Sequence, residues 1–342
     1  MRIEATITAP SSIQELAAHG LQLEEAGYDT ILVPEAGHDP FLPLMIIAEH
    51  TQTLRFGTAV AIAFPRSPFA VAQMSWDLQR FSGGRFMLGL GTQVKGHNER
   101  RYSTPWPAPP GPRLRDYILC LKAIFNTFQT NERPSFQGKW YQFTLISPFF
   151  NPGPNPDGGR LPIYISAVNK YNCRLVGELC DGIRMHPFNT PKYTREVIIP
   201  SIEEGVKKAG RQLSDLDIVG GGFLVTGKNE EEVEKAKAPV RQQISFYAST
   251  RSYLPVLECH GWGEVGAKLF RLSMEGKWPE MGAAITDEML EQFAIVGTYD
   301  EIVPKIRERY YDVATTLDFG YATYTAEQAE RLRWMVQELK KP

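Results

Sequence analysis

The sequence predicts an α/β fold, a (β/α)8 TIM barrel with loop and helical insertions, formed as a single domain over residues 1–342. Three observations carry this. Eight short apolar runs recur along the chain, most of them followed by a segment with helical spacing. Residues 54–91 read strand, turn, helix, turn, strand, which implies a parallel pair covered by a helix. Gly89-Leu90-Gly91 lacks a third glycine at the dinucleotide-binding spacing, and no acidic residue ends a strand about 20 residues on. That weakens a doubly wound sheet, the alternative architecture.

Taken in order, Arg2 to Ile7 reads as a strand with Ile3, Ala5 and Ile7 on one face. Ser12-Ile13-Gln14-Glu15 opens a helix as a capping box, and Gly27 closes it. Tyr28 to Val33 is the second strand. A short helix follows Pro40 and runs to about residue 51. Leu54 to Ala63 is the third strand, Pro68 to Phe81 its helix, and Arg85 to Leu90 the fourth strand. Residues 92–112 are rich in proline and charge, the first expected insertion. Arg113 to Thr127 is a helix. Residues 131–160 read as a hairpin and a turn-rich loop, the second insertion. Leu161 to Ser166 and Asp181 to His186 are strands, separated by a helix over Lys170 to Leu179. Pro191 to Ala209 is a helix, and Leu216 to Val225 a strand interrupted by Gly220-Gly221-Gly222. Glu230 to Ala248 is a helix, and 251–295 an irregular helical insertion. Tyr299 to Tyr310, Val313 to Phe319 and Ala326 to Lys340 complete the chain as helix, strand and helix.

Composition narrows the function. The chain is 43% hydrophobic and 22% charged, with a formal net charge of −2. No broad basic field exists, so nucleic acid is not an expected partner. The N-terminus has no basic and apolar leader, and no run of about 18 apolar residues suggests a membrane span. Cys120, Cys173, Cys180 and Cys259 form no CxxC pair and read as reduced core thiols of a cytoplasmic protein. The histidines are scattered without HExxH, so no metal site is expected, and no GxSxG elbow supports a nucleophile.

The segments LEEAGYDTILVPE, LRFGTAVAIAFPRSP, QRFSGGRFMLGLGT, LPIYISA with DGIRMHPF, and VGTYDEIVPKIRERY together resemble the bacterial luciferase-like flavin and deazaflavin oxidoreductases. GLGTQVKGHNERRY, PFFNPGPNP and HPFNTP are similar to the subgroup that uses coenzyme F420. The resemblance implies hydride transfer between this deazaflavin and a small organic substrate, with FMN and monooxygenase chemistry as the alternative. A non-catalytic ligand-binding relative is the third reading. The resemblance also implies a homodimer.

It implies a site as well. A cis peptide at Ala59–Val60 would back the ring. Glu35, at the end of the second strand, faces a barrel's catalytic mouth and would bond the ring edge. Family members often place a histidine directly after that acid. Here Ala36 stands there, and His38 is either a catalytic acid–base group or the cap of the next helix. Gly91 would lie against the cofactor, Thr92 would bond its ribityl chain, and Gln93 the ring or substrate. Lys95, Arg100 and Arg101 would meet a phosphate or a carboxylate, or simply face solvent. Ser166, Ala167 and Val168 precede a helix start suited to phosphate, although the family often has glycines there. His186 would complete that pocket. Phe64, Trp106, Phe149, Phe150, Tyr247, Tyr253 and Trp262 are candidates to roof an apolar substrate pocket.

Overall fold

The computed structural model describes residues 1–7, 12–106, 109–156, 160–319 and 326–341. Eight parallel strands form a closed barrel. They are β1 (Arg2–Thr6), β2 (Thr30–Val33), β3 (Arg55–Thr58), β4 (Phe86–Gly91), β5 (Ile163–Ala167), β6 (Gly182–Met185), β7 (Asp217–Gly221) and β8 (Thr316–Asp318). The order runs β3-β2-β1-β8-β7-β6-β5-β4, and β3 meets β4 through Phe56–Phe86 and Gly57–Met87. This is the expected (β/α)8 fold. Around it lie α1 (Ile13–Glu25), α2 (Leu42–His50), α3 (Pro68–Phe81), α4 (Pro110–Thr130), α5 (Lys170–Leu179), α6 (Ile199–Lys208), α7 (Glu230–Ala248), α8 (Tyr299–Tyr310) and α9 (Ala326–Lys340).

Strand alternation explains the two cores. Ile3, Ala5, Ile31, Phe56, Phe86, Leu88, Ile163, Ile165, Ile183 and Leu317 join the core beneath the helices. Leu32, Met87, Tyr164 and Val219 form a separate cluster inside the barrel. Glycine lets the strands close at β3 and β4. A Cβ on Gly57 would lie 2.2 Å from the Met87 carbonyl oxygen, and one on Gly89 2.0 Å from that of Thr58.

The base of the barrel is tied by one carboxylate. Asp217 of β7 pairs with Arg2 at 2.8 Å. It accepts from the Tyr164 hydroxyl at 3.0 Å and from the hydroxyls of Thr315 and Thr316. Strands β1, β5, β7 and β8 therefore share one polar knot, away from the mouth.

Several boundaries differ from the sequence reading. The 54–63 strand splits into β3 and a two-residue strand, Ala61–Ile62, on either side of Ala59–Val60. The first insertion contains a short helix, Lys95–Arg100, and α4 starts at Pro110 rather than at residue 113. Residues 191–209 are not one regular helix. A π-helical stretch, Thr194–Ile198, precedes Pro200, which has no N–H to donate to Glu196. The 216–225 strand breaks at its glycines, where Gly221 has φ of 155°. Beyond the break, Phe223–Gly227 pairs in parallel with Ala294–Thr298 as a separate two-stranded sheet. That second strand begins at the end of the 251–295 stretch read as irregular helix and runs on to Thr298. The hairpin in 131–160 is present as Phe136–Gln137 against Gln142–Phe143. Residues 107–108 and 157–159 of the insertions lie outside the described residues. No helix among the described residues is long and apolar enough to cross a membrane. The four cysteines are free, and burial pushes the thiols of Cys120, Cys173 and Cys180 up to about 12.

Candidate active site

The C-terminal ends of β3, β4, β5 and β6 are neighbours around the barrel. They bring Ala59, Val60, Thr92, Gln93, Ser166, Val168 and His186 onto one half-exposed arc. The Ala59–Val60 peptide is cis, as the resemblance implied. The Ala59 N–H donates to Val33 at 2.9 Å, so β2 holds one side of that peptide. Gly91 is buried, and a Cβ there would lie 2.6 Å from Val60 Cγ2. Its bareness thus serves the seat of Val60. Ala61 and Ala63 join the core beneath the helices instead of the mouth. The alanine run is therefore not uniformly a ring platform.

Glu35 ends β2 and is held on three sides. Its carboxylate pairs with Arg66 at 2.6 Å and accepts from the Ile62 N–H at 2.7 Å and the Tyr102 hydroxyl at 2.9 Å. Its side chain is 7% exposed. Arg66 also pairs with Asp39 at 3.0 Å. Burial opposes the Arg66 charge, but Glu35 and Asp39 outweigh it and hold the guanidinium more firmly protonated than usual. Glu35 is thus an anchor that gathers the β2 end, the β3 end and the first insertion. Arg66 and Tyr102 escaped the sequence reading. The available signal for Arg66 was a lone charge just beyond an apolar strand.

His38 is exposed and makes no hydrogen bond among the described residues. The cap of α2 is its neighbour: Asp39 accepts from the N–H groups of Phe41 and Leu42 at 2.8 and 3.2 Å. Gln93 sits in the left-handed region with φ of 56° and accepts from the Val94 N–H with its own side chain. The buried Asn98 donates to the carbonyls of Thr92 and Val94 and pins this turn. Lys95 lies beside Glu99 at 4.0 Å, and Arg101 stacks over Tyr102. Ala167 is buried toward the outer core. Asn169 caps α5, accepting from Asn172 at 2.9 Å, and the Val168 carbonyl accepts from Tyr193.

His186 faces an aromatic wall. Its ring centre lies 4.7 Å from Tyr247 and 4.6 Å from Tyr253. Its Nδ1 accepts from the Phe188 N–H at 3.0 Å, which leaves the proton of the neutral ring on Nε2. Burial pushes its pKa down to about 4, so the ring is uncharged at neutral pH. Trp106 packs edge-on to Phe64. Phe149 and Phe150 are exposed on the surface, and Trp262 stacks on His260.

Inside the barrel, just below this arc, lies a charged group that sequence alternation concealed. Arg184 of β6 donates to Glu4 of β1 and approaches Asp318 of β8 at 3.7 Å. The Thr6 hydroxyl donates to Asp318 at 2.6 Å. Two surface clefts, of about 450 and 670 Å³, lie instead on the helical flank near Arg195 and beside Ala294–Thr298. Neither includes a residue of the arc.

The donor set suits a planar redox ring with a polar tail. Small apolar residues at β3 offer a flat contact, and Thr92, Gln93, Ser166 and the α5 N-terminus offer polar groups at its rim. Fold and mouth together define a β/α-barrel protein, and in such barrels ligand sites lie at the C-terminal ends of the strands. The chain belongs to the luciferase-like monooxygenase family, whose model matches residues 1–316. A Mycobacterium tuberculosis protein of uncharacterised function is 40% identical over 90% of both chains. The 5,10-methylenetetrahydromethanopterin reductase of Archaeoglobus fulgidus is 27% identical over 83% of this chain and 82% of its own length. The fold is also that of the coenzyme F420-dependent tetrahydromethanopterin reductase of Methanopyrus kandleri. That structure superposes with a TM-score of 0.77 at 20% identity, covering 99% of this chain and 98% of the other.

Proposed function

We propose that this protein is an oxidoreductase that binds coenzyme F420 at the barrel mouth and passes a hydride to or from a small organic substrate. The observation that carries the reading is the arc itself. Four adjacent strand ends present a small apolar surface at Ala59 and Val60, bordered by Thr92, Gln93, Ser166, Val168 and His186. The 27% identity to a reductase supports hydride chemistry over oxygen chemistry. When bound, the deazaflavin supplies the hydride chemistry, and the protein supplies orientation and electrostatics.

In this reading Ala59 and Val60 support the ring face, while Gly91 keeps Val60 seated. Thr92, Gln93 and Ser166 offer hydrogen bonds to the polar tail. The backbone at Ala167 and Val168 leads into the positive end of α5. Neutral His186 offers an Nε2–H donor. Glu35 keeps the rim in shape through Arg66 and Tyr102. His38, unpartnered at the rim, is a candidate proton carrier for substrate. The protein works as a homodimer in the cytoplasm.

Fluorescence titration of the purified protein with F420 and, separately, with FMN tests this. F420 quenching with a saturable isotherm is the expected result. Tight FMN binding without F420 binding would replace the reading with a flavin monooxygenase, and binding of neither would favour a non-catalytic relative. Glu35→Ala should weaken F420 binding; an unchanged isotherm would remove Glu35 from the site.

A further inference from the structure

We propose that Asp318, backed by Arg184 and Glu4, holds the proton that the barrel mouth gives and takes during hydride transfer. This rests on the oxidoreductase reading above.

The geometry sets two carboxylates against one guanidinium inside a closed barrel. Glu4 is 1% exposed and Arg184 7%. Asp318 stands higher, recessed but 28% exposed at the mouth end of β8. Beside them Leu32, Met87, Tyr164 and Val219 pack together inside the barrel, and Asp318 is the member of the charged group that reaches solvent. A proton on this group therefore exchanges through the mouth and not through the base. Both carboxylates ionised would leave one net negative charge in a low-dielectric interior, which is costly, so the pair retains one proton between them, and Asp318, the member open to the mouth, is the one that exchanges it. Burial pushes Glu4 up to about 7 against the pull of Arg184, and burial raises Asp318 as well. Arg184 Nη1 is buried with no hydrogen-bond partner, so the guanidinium has an unused donor with which to take up more negative charge.

Among the described residues, the groups that face this cluster are few. They are Thr6 beside Glu4 on β1, Asp217 lower on β7, and Tyr310 from α8 against Asp318. His186 lies two residues beyond Arg184 on the same inward row. The other candidate acids are less suited, and His38, the alternative proton carrier, is exposed to solvent at the rim rather than inside the barrel. Both Glu35 oxygens are taken by protein donors, and His186 is held neutral with its Nδ1 occupied.

The chemistry balances. A carbonyl carbon would gain a C–H bond from the hydride that a bound reduced deazaflavin would supply, the carbonyl π pair moving to oxygen. That oxygen would take the Asp318 proton, and the charge left on Asp318 lies 3.7 Å from Arg184 until a proton entering through the mouth replaces it. The substrate gains two electrons and two hydrogens, and the deazaflavin is left oxidised. The reverse direction returns the proton to Asp318.

Two measurements on the full chain test this. The first is infrared difference spectroscopy across the neutral pH range with ¹³C-labelled aspartate and, separately, glutamate. A carboxylic-acid carbonyl band at neutral pH is expected, with its aspartate part missing in Asp318→Asn. The second is calorimetric titration with F420 in two buffers of different ionisation enthalpy. Wild type should exchange a measurable fraction of a proton on binding. Asp318→Asn should exchange none while its affinity stays within about threefold, and Asp318→Glu should restore the exchange. A wild type with no acid band, or an Asn variant with undiminished exchange, overturns the proposal. If Asp318→Asn fails to fold, Asp318→Glu decides: loss of its proton exchange overturns the proposal, and retention with a glutamate-derived band supports it. If wild type binds neither F420 nor FMN, the cofactor reading falls, and the infrared band alone decides the resident proton.

Discussion

Tyr102 donates to the Glu35 carboxylate at 2.9 Å across 67 residues of sequence. That bond ties the first insertion to the end of β2. Tyr102→Phe should cost about 1 kcal/mol of stability, the usual worth of such a bond. Its clearer effect should be faster amide exchange across 94–104. Hydrogen exchange with mass spectrometry reads this, and unchanged protection in that segment would show the bond to be idle.

Arg66→Met should cost more, roughly 3 kcal/mol, because it leaves the nearly buried Glu35 charge without its ion. The double variant with Glu35→Gln should recover part of the loss. Urea unfolding of the four proteins gives the coupling energy, and strictly additive effects would deny the pair.

Two glycines separate folding from ligand binding. In Gly89→Ala the new methyl meets the Thr58 carbonyl, which is backbone, so the barrel itself must shift and the protein should fold poorly. In Gly91→Ala the methyl meets the Val60 side chain, which can move. Gly91→Ala should fold and yet bind F420 at least tenfold more weakly, a loss of about 1.4 kcal/mol. Equal binding by a folded Gly91→Ala protein would detach Val60 from the ligand.

Stability should fall as pH rises through neutrality on account of Glu4. Its folded pKa, about 7, lies above the ordinary glutamate value of 4.5. The folded state therefore binds the proton more tightly, and this contribution is complete below about 4.5 and lost by about 7. At most it amounts to about 3 kcal/mol. His186 acts oppositely: its folded pKa of about 4 lies below 6.5, so its contribution is present above 6.5 and lost as pH falls toward 4. Glu4→Gln should flatten the upper limb of a chemical-denaturation profile, and His186→Phe the lower. An upper limb unaltered by Glu4→Gln would place the titration elsewhere.

Most strands were legible because apolar residues at period two mark the faces that helices cover. The same alternation hid the barrel's inside. Glu4 and Thr6 between Ile3, Ala5 and Ile7 look like the wet face of a half-exposed strand. In a closed barrel that face is interior, and its charge partners, Arg184 and Asp318, are far away in sequence. Glu35 was legible as a strand-end acid, but its role depends on Arg66 and Tyr102, which no local pattern links to it. The strand Ala294–Thr298 was missed because a five-residue run directly after a helix shows no helical or turn boundary of its own.

The Asp217 knot has a consequence for altering the protein. Barrel closure is secured at the pole opposite the ligand, by Arg2, Tyr164, Thr315 and Thr316. Replacing the loops of residues 92–106 or 251–290 leaves every one of these bonds in place. Selection for a new substrate can therefore work on the mouth almost independently of the scaffold, and a library confined to those loops should keep its folded fraction while its ligand preferences diverge.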